Sequence, residues 1–192
     1  MSVHNPSSTI LLVDDMADNI DILNAVLSPF YRTRVALSGE KALKIALGEN
    51  PPDLILLDVM MPGLNGYQVC EQLKNNPDTR DIPVIFVTAM SEVEDERHGL
   101  ELGAVDYITK PVSPPILRAR VRAQLGLKAA ADFLRDRATF LEAEVARRTR
   151  EVEAIQDVTI QMMASLAETR DNETGNHIRR TQHYVQALAL AL

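Results

Sequence analysis

Five residues spread along this 192-residue chain have types that could act together: Asp14, Asp15, Asp58, Thr88 and Lys110. Each follows or closes a short apolar run. Asp14 and Asp15 follow Thr9-Ile-Leu-Leu-Val13, Asp58 follows Leu54-Ile-Leu-Leu57, Thr88 closes residues 82–87 and Lys110 follows residues 104–109. Consecutive apolar residues mark a strand buried on both faces, and an acid directly after one is delivered to the rim of a core rather than sealed inside it. Crowded carboxylates repel unless a cation neutralises them, and oxygen-only ligands with positions left for water suit Mg²⁺. Asp58 could then attack a phosphoryl group as a covalent nucleophile. Lys110 would balance charge on the transferred oxygens and Thr88 would hydrogen-bond to them. The same groups would also serve a Mg²⁺-dependent phosphohydrolase or phosphotransferase acting on small phosphate esters.

These residues meet only if the runs lie side by side and point the same way. The stripe of Ile20, Leu23, Ala25, Val26 and Leu27 predicts a first helix that stops at Ser28-Pro29, where proline cannot continue it. Residues 31–37 read as a second strand, and Ser38 as the N-cap of a helix that carries Ala42, Leu43, Ile45, Ala46 and Leu47 and is broken by Asn50-Pro51-Pro52. Residues 67–74 form a third helix, closed by Asn75-Asn76-Pro77-Asp78; Ser91 caps an acidic fourth, and Gly103 releases the chain into a fifth strand. A fifth helix begins near Pro114-Pro115, since proline suits a first turn. Five strands alternating with helices specify an α/β fold, a doubly wound parallel sheet over residues 8–125. Residues 1–7 form a polar tail expected to be disordered.

Composition narrows the partners. A 46% hydrophobic content supports a packed core, and four Phe, four Tyr and no Trp make it aliphatic. A net charge of −7 with a pI near 5.1 argues against a nucleic-acid surface. The single cysteine, Cys70, excludes an internal disulfide and reads as a buried structural thiol in a reducing compartment. There is no signal-peptide pattern and no apolar stretch of membrane-spanning length, so the expectation is a cytoplasmic protein without a membrane partner. His98, beside Arg97 on the acidic helix, reads as a solvated surface residue.

From Leu127 a seven-residue repeat sets in. Leu127, Leu134, Leu141, Ile155 and Met162 occupy one core position, with Arg148 interrupting; Ala131, Ala138, Val145, Val152, Thr159 and Leu166 occupy the other. Leucine at d with small or β-branched residues at a favours a parallel pair of helices, and Arg137 would meet Glu142 of the partner helix. The pattern predicts a coiled-coil linker over residues 126–166 and a homodimer through residues 127–166. The alternative is a single helix folded back on its own sheet.

Asp14-Asp15, Asp58 followed by Met-Pro-Gly, Thr88-Ala89 and Tyr107-Ile-Thr-Lys110-Pro111 together resemble the receiver domain of two-component response regulators, over residues 8–125. The resemblance implies a flavodoxin-like strand order of 2-1-3-4-5. It implies that a sensor histidine kinase phosphorylates Asp58, and that Asp15, Asp58 and the Met60 carbonyl bind Mg²⁺ with help from Asp14, partly through water. It further implies that Thr88 and Tyr107 form a switch that moves on phosphorylation, and that Lys110-Pro111 is a cis peptide. A tyrosine on an edge strand can also be plain packing, so Tyr107 keeps both readings. A constitutive dimeric scaffold is the remaining alternative.

The last residues resemble a second family. Arg170-Asp-Asn-Glu173-Thr-Gly-Asn-His177-Ile-Arg-Arg180 is similar to the opening of the HD-GYP domain, a cyclic di-GMP phosphodiesterase with a cluster of two or three metals, iron or manganese. The resemblance implies that His177 is a metal ligand and Glu173 the extra carboxylate of a three-metal site. Taken alone, a Glu and a His four residues apart are commonly a surface pair. The chain contains neither a His-Asp dipeptide nor Gly-Tyr-Pro. Residues 167–192 are therefore expected to be only the first part of such a domain, catalytically silent by itself, because Glu173 and His177 cannot complete a metal site or orient a phosphate.

Overall fold

The apolar runs become strands because they can be covered on both sides. In the computed structural model, which describes residues 8–89, 93–168 and 180–187, β1 (Thr9–Val13), β3 (Leu54–Leu57) and β4 (Val84–Thr88) form the centre of one sheet. The strands β2 (Arg32–Ala36) and β5 (Asp106–Thr109) are its edges. All pairings are parallel, in the order β2-β1-β3-β4-β5, as the resemblance implied. Parallel neighbours need crossovers, which α1 (Ala17–Leu27), α2 (Gly39–Ala46), α3 (Gly66–Asn75) and α4 (Val93–Glu101) supply. The tail of residues 1–7, the Ser91 cap, Glu173 and His177 lie outside the described residues.

Strand alternation sends neighbouring side chains to opposite faces. Leu11, Val13, Ile55, Leu57, Val84, Phe86 and Tyr107 pack on one face with Ala42 of α2 and Val69, Cys70 and Leu73 of α3. Ile10, Leu12, Leu54, Leu56, Ile85, Val87 and Ile108 pack on the other, under Ile20, Leu23 and Leu27 of α1 and Leu117 and Val121 of the fifth helix. Cys70 is fully buried and free, and burial pushes its thiol up to about 11, so it stays protonated at neutral pH. It is the structural thiol the sequence suggested.

Several boundaries move by a residue or more, each for a local reason. Pro83 has no N–H to donate and the Ile82 N–H closes a turn on the Thr79 carbonyl, so β4 starts at Val84 and takes in Thr88. Gly103 adopts φ 91° and the Ala104 N–H returns to the Gly99 carbonyl, which delays β5 to Asp106. Ser38 does cap α2, its hydroxyl accepting the Lys41 N–H at 3.3 Å. At α3 a capping box closes in both directions: Asn65 Oδ1 accepts the Gln68 N–H at 2.9 Å and Gln68 Oε1 accepts the Asn65 N–H at 3.1 Å.

The fifth helix, α5 (Pro114–Glu168), runs 55 residues. Its first turns lie on the sheet through Leu117 and Val121, both fully buried. The chain divides into compact units at residues 1–133 and 134–192. Within the second unit Leu134, Leu141, Val145, Val152, Ile155, Met162 and Leu166 are all exposed, whereas Ala164 is buried. Residues 180–187 are helical, and Gln182 Nε2 donates to Asp157 Oδ1 at 3.0 Å. No helix among the described residues is long and apolar enough to cross a membrane.

Candidate functional site

The carboxyl ends of β1, β3, β4 and β5 sit side by side, and hydrogen bonds between the exits hold them there. The Asp58 N–H donates to the Val13 carbonyl at 2.8 Å, which sets Asp58 beside Asp14; the Lys110 N–H donates to the Thr88 carbonyl at 2.9 Å, which ties the lysine to the end of β4. Lys110-Pro111 is cis. The turn after Asp58 uses Gly63 at φ 77°. Gly66 then opens α3 directly against it: a Cβ there would lie 2.2 Å from the Asp58 carbonyl oxygen and 2.8 Å from the Val59 Cα.

Three carboxylates and one ammonium result. Asp14, Asp15 and Asp58 each offer an oxygen within 4.8 Å of the others, Asp14 and Asp58 buried and Asp15 exposed. Lys110 Nζ donates to Asp14 Oδ2 at 2.7 Å and to Asp58 Oδ1 at 3.0 Å. The second oxygen of Asp14 accepts the Met16 N–H and the Asn19 amide, each at 2.9 Å. Burial pushes the Asp58 carboxyl above its usual range; hydrogen bonding and charge from Lys110 oppose this, while the charges of Asp14 and Asp15 add to it. Burial works against the Lys110 charge, but its hydrogen bonds to Asp14 and Asp58 and their charges outweigh that, so the ammonium is held above its ordinary value.

One protonated lysine facing three carboxylates leaves negative charge in excess, and two of those carboxylates are out of water. Hard oxygen donors with an exposed member suit a divalent cation that keeps some of its waters, so the residues fit Mg²⁺. A nucleophilic carboxylate oxygen at a strand end, beside a fixed ammonium and such a cation, is arranged to take a phosphoryl group. A cavity of 450 Å³ lined by Asn19, Ile22, Leu23, Val87, Lys110, Pro111 and Val112 opens beside the ammonium, leaving room for an approaching group.

Of the remaining residues singled out in the sequence, Thr88 is fully buried at the end of β4 and lies opposite Thr109 in the β4–β5 register. Tyr107 is buried and edge-on to Phe86, with ring centroids 6.3 Å apart. Met60, two residues beyond Asp58, has an exposed side chain. His98 is exposed, yet its ring packs against Tyr67 at 4.8 Å between centroids. Asn19 was not foreseen, because its position on α1 carries no pattern that announces a bond to Asp14. Asn65 could have been read from its spacing to Gln68.

A family model for the response regulator receiver domain matches residues 10–122. A Vibrio cholerae serotype O1 protein named "Probable cyclic di-GMP phosphodiesterase" is 52% identical over 184 residues, 96% of this chain and 42% of that protein. "Response regulator PleD" of Caulobacter vibrioides is 46% identical over 132 residues, 68% of this chain and 29% of that one. Among solved structures, a response regulator receiver domain protein from Methanospirillum hungatei superposes with a TM-score of 0.60 at 25% identity, covering 65% of this chain and 98% of that one. The chain spans less than half the length of these two curated relatives.

Proposed function

This chain belongs to the response regulator receiver family, and from that premise we propose that Asp58 is its phosphoacceptor and that a sensor histidine kinase is the donor. A carboxylate oxygen of Asp58 attacks the phosphorus of a phosphohistidine. The new O–P bond forms as the P–N bond breaks, and its electron pair returns to the imidazole. Lys110, within 3.0 Å of Asp58, needs only a small movement to follow the charge onto the phosphoryl oxygens.

Asp14, Asp15, Asp58 and the Met60 carbonyl would hold Mg²⁺, which when bound supplies positive charge to the transferred oxygens. Asn19 and the Met16 N–H fix one oxygen of Asp14, so the carboxylate keeps its orientation. Thr88 would hydrogen-bond the phosphoryl group, and Tyr107 would respond with it. Beside Lys110, exposed Ile22 offers an apolar rim for the donor. The observation that carries this reading is the single ammonium shared by two buried carboxylates at adjacent strand ends. Mg²⁺ titration followed by calorimetry tests it: one site is expected, and Asp15→Asn weakens it at least tenfold. Equal affinity in the variant contradicts the assignment.

The output is proposed from the relative with which the similarity extends along almost the whole chain. Phosphorylation of Asp58 would control an HD-GYP phosphodiesterase acting on cyclic di-GMP. Glu173 and His177 would be among its metal ligands, with iron or manganese as the metal of the complete domain. The exposed apolar seam of α5 supports a parallel homodimer through residues 127–166. Hydrolysis of cyclic di-GMP by these 192 residues alone would contradict the incomplete-site reading. A cytoplasmic location follows if a kinase domain on that side is the partner.

A further inference from the structure

Four rings from four elements meet edge to face on one side of the sheet. Tyr107 of β5 packs on Phe86 of β4 with centroids 6.3 Å apart, Phe86 on Tyr67 of α3 at 5.2 Å, and Tyr67 on His98 of α4 at 4.8 Å. The planes cross at 60°, 74° and 73°, the arrangement in which a positive ring edge meets a negative face. Each rung is therefore attractive in its own right.

Two backbone facts make the ladder specific. Phe86 and Tyr107 are register partners across β4 and β5, and Thr88, two residues beyond Phe86, points to the same face. Gly99 allows α4 to close on the ladder: a Cβ there would lie 2.9 and 3.0 Å from Cδ2 and Cε2 of Phe86 and 3.7 Å from Cε1 of Tyr67. Phe86 is thus hemmed in by its register partner, by Tyr67 and by the backbone of α4. It cannot change position without disturbing all three.

We propose that Tyr67 and His98 are positioning residues for Tyr107: through Phe86 they hold its ring inward. The proposal rests on the reading of Thr88 and Tyr107 as a switch pair. An exposed histidine thereby gains a part in the switch.

The test is fluorine NMR of the protein carrying 3-fluorotyrosine, with the Tyr107 resonance identified by its loss in Tyr107→Phe. In the unphosphorylated protein, Tyr67→Leu and His98→Ala each lower the inward-to-outward ratio of Tyr107 by about two- to tenfold, the range that one aromatic pair commands. His98→Phe, which keeps a ring, preserves the ratio. Leu23→Ala, a core truncation on the opposite face, leaves it unchanged. An unaltered Tyr107 signal in His98→Ala overturns the proposal even if Tyr67→Leu does not fold, and an equal shift in Leu23→Ala overturns it as general loosening. Because the signal is read without phosphodonor or metal, failure of Asp58 to accept a phosphoryl group would show in a separate assay and leave this result standing.

Discussion

At the scale of single residues, the site is under electrostatic tension that the fold tolerates. Asp58 titrates above its ordinary value chiefly because it is buried, so in the absence of metal its charge opposes folding. Asp58→Asn removes that charge while its amide oxygen can still accept from Lys110. It is therefore expected to raise the thermal midpoint in metal-free buffer at pH 7. The sign sets the pH window: the gain is absent below the unfolded carboxyl value of 3.8 and grows as pH rises through the higher folded value. Melting curves from pH 3 upward would check this, and a destabilised Asp58→Asn would contradict it. Lys110 works in the opposite sense. Its raised value means that its stabilisation is fully present below 10.5 and is lost above the folded value. Lys110→Ala leaves Asp14 and Asp58 buried with no counter-charge and should cost about 1–3 kcal/mol at pH 7 in denaturant titrations.

At the scale of elements, the positions of the reacting groups are decided by how helices begin and strands end. Asn65→Ala removes one half of the capping box and should cost about 1 kcal/mol. Gly66→Ala forces α3 away from β3, because its Cβ would overlap the Asp58 carbonyl, and should cost more than the cap variant in the same denaturant titration. Equal costs would mean that α3 can back away freely. The strand-and-acid runs were legible in the sequence because a fully buried strand must be continuously apolar and an acid at its end has no other place in a parallel sheet. Gly66 and Asn19 were not, because close approach and a single bond to Asp14 depend on where α3 and α1 come to rest, which no periodicity encodes. The limits of β4 and β5 differ for a related reason: Ile82 and Ala104 are apolar, but their N–H groups close the turns before the strands, on the Thr79 and Gly99 carbonyls. Tyr107 illustrates the same limit, since its ring contact with Phe86 is set by the register between two strands joined through α4.

At the scale of the whole molecule, the heptad pattern of α5 was visible in the sequence and the helix runs unbroken to Glu168, while its apolar seam is exposed in the single chain. Leu134 and Leu141 lie on that seam, so Leu134→Asn with Leu141→Asn should convert a dimer to a monomer in sedimentation at tens of micromolar. A monomer before substitution would remove the dimer from the account. The central functional claim is that Asp58 accepts a phosphoryl group. Intact mass spectrometry after incubation with acetyl phosphate and Mg²⁺ tests it directly, on this chain and on Asp58→Asn. A gain of about 80 Da, one phosphoryl group, is expected in the first and none in the second. An unchanged mass in both, or the same gain in both, would contradict it.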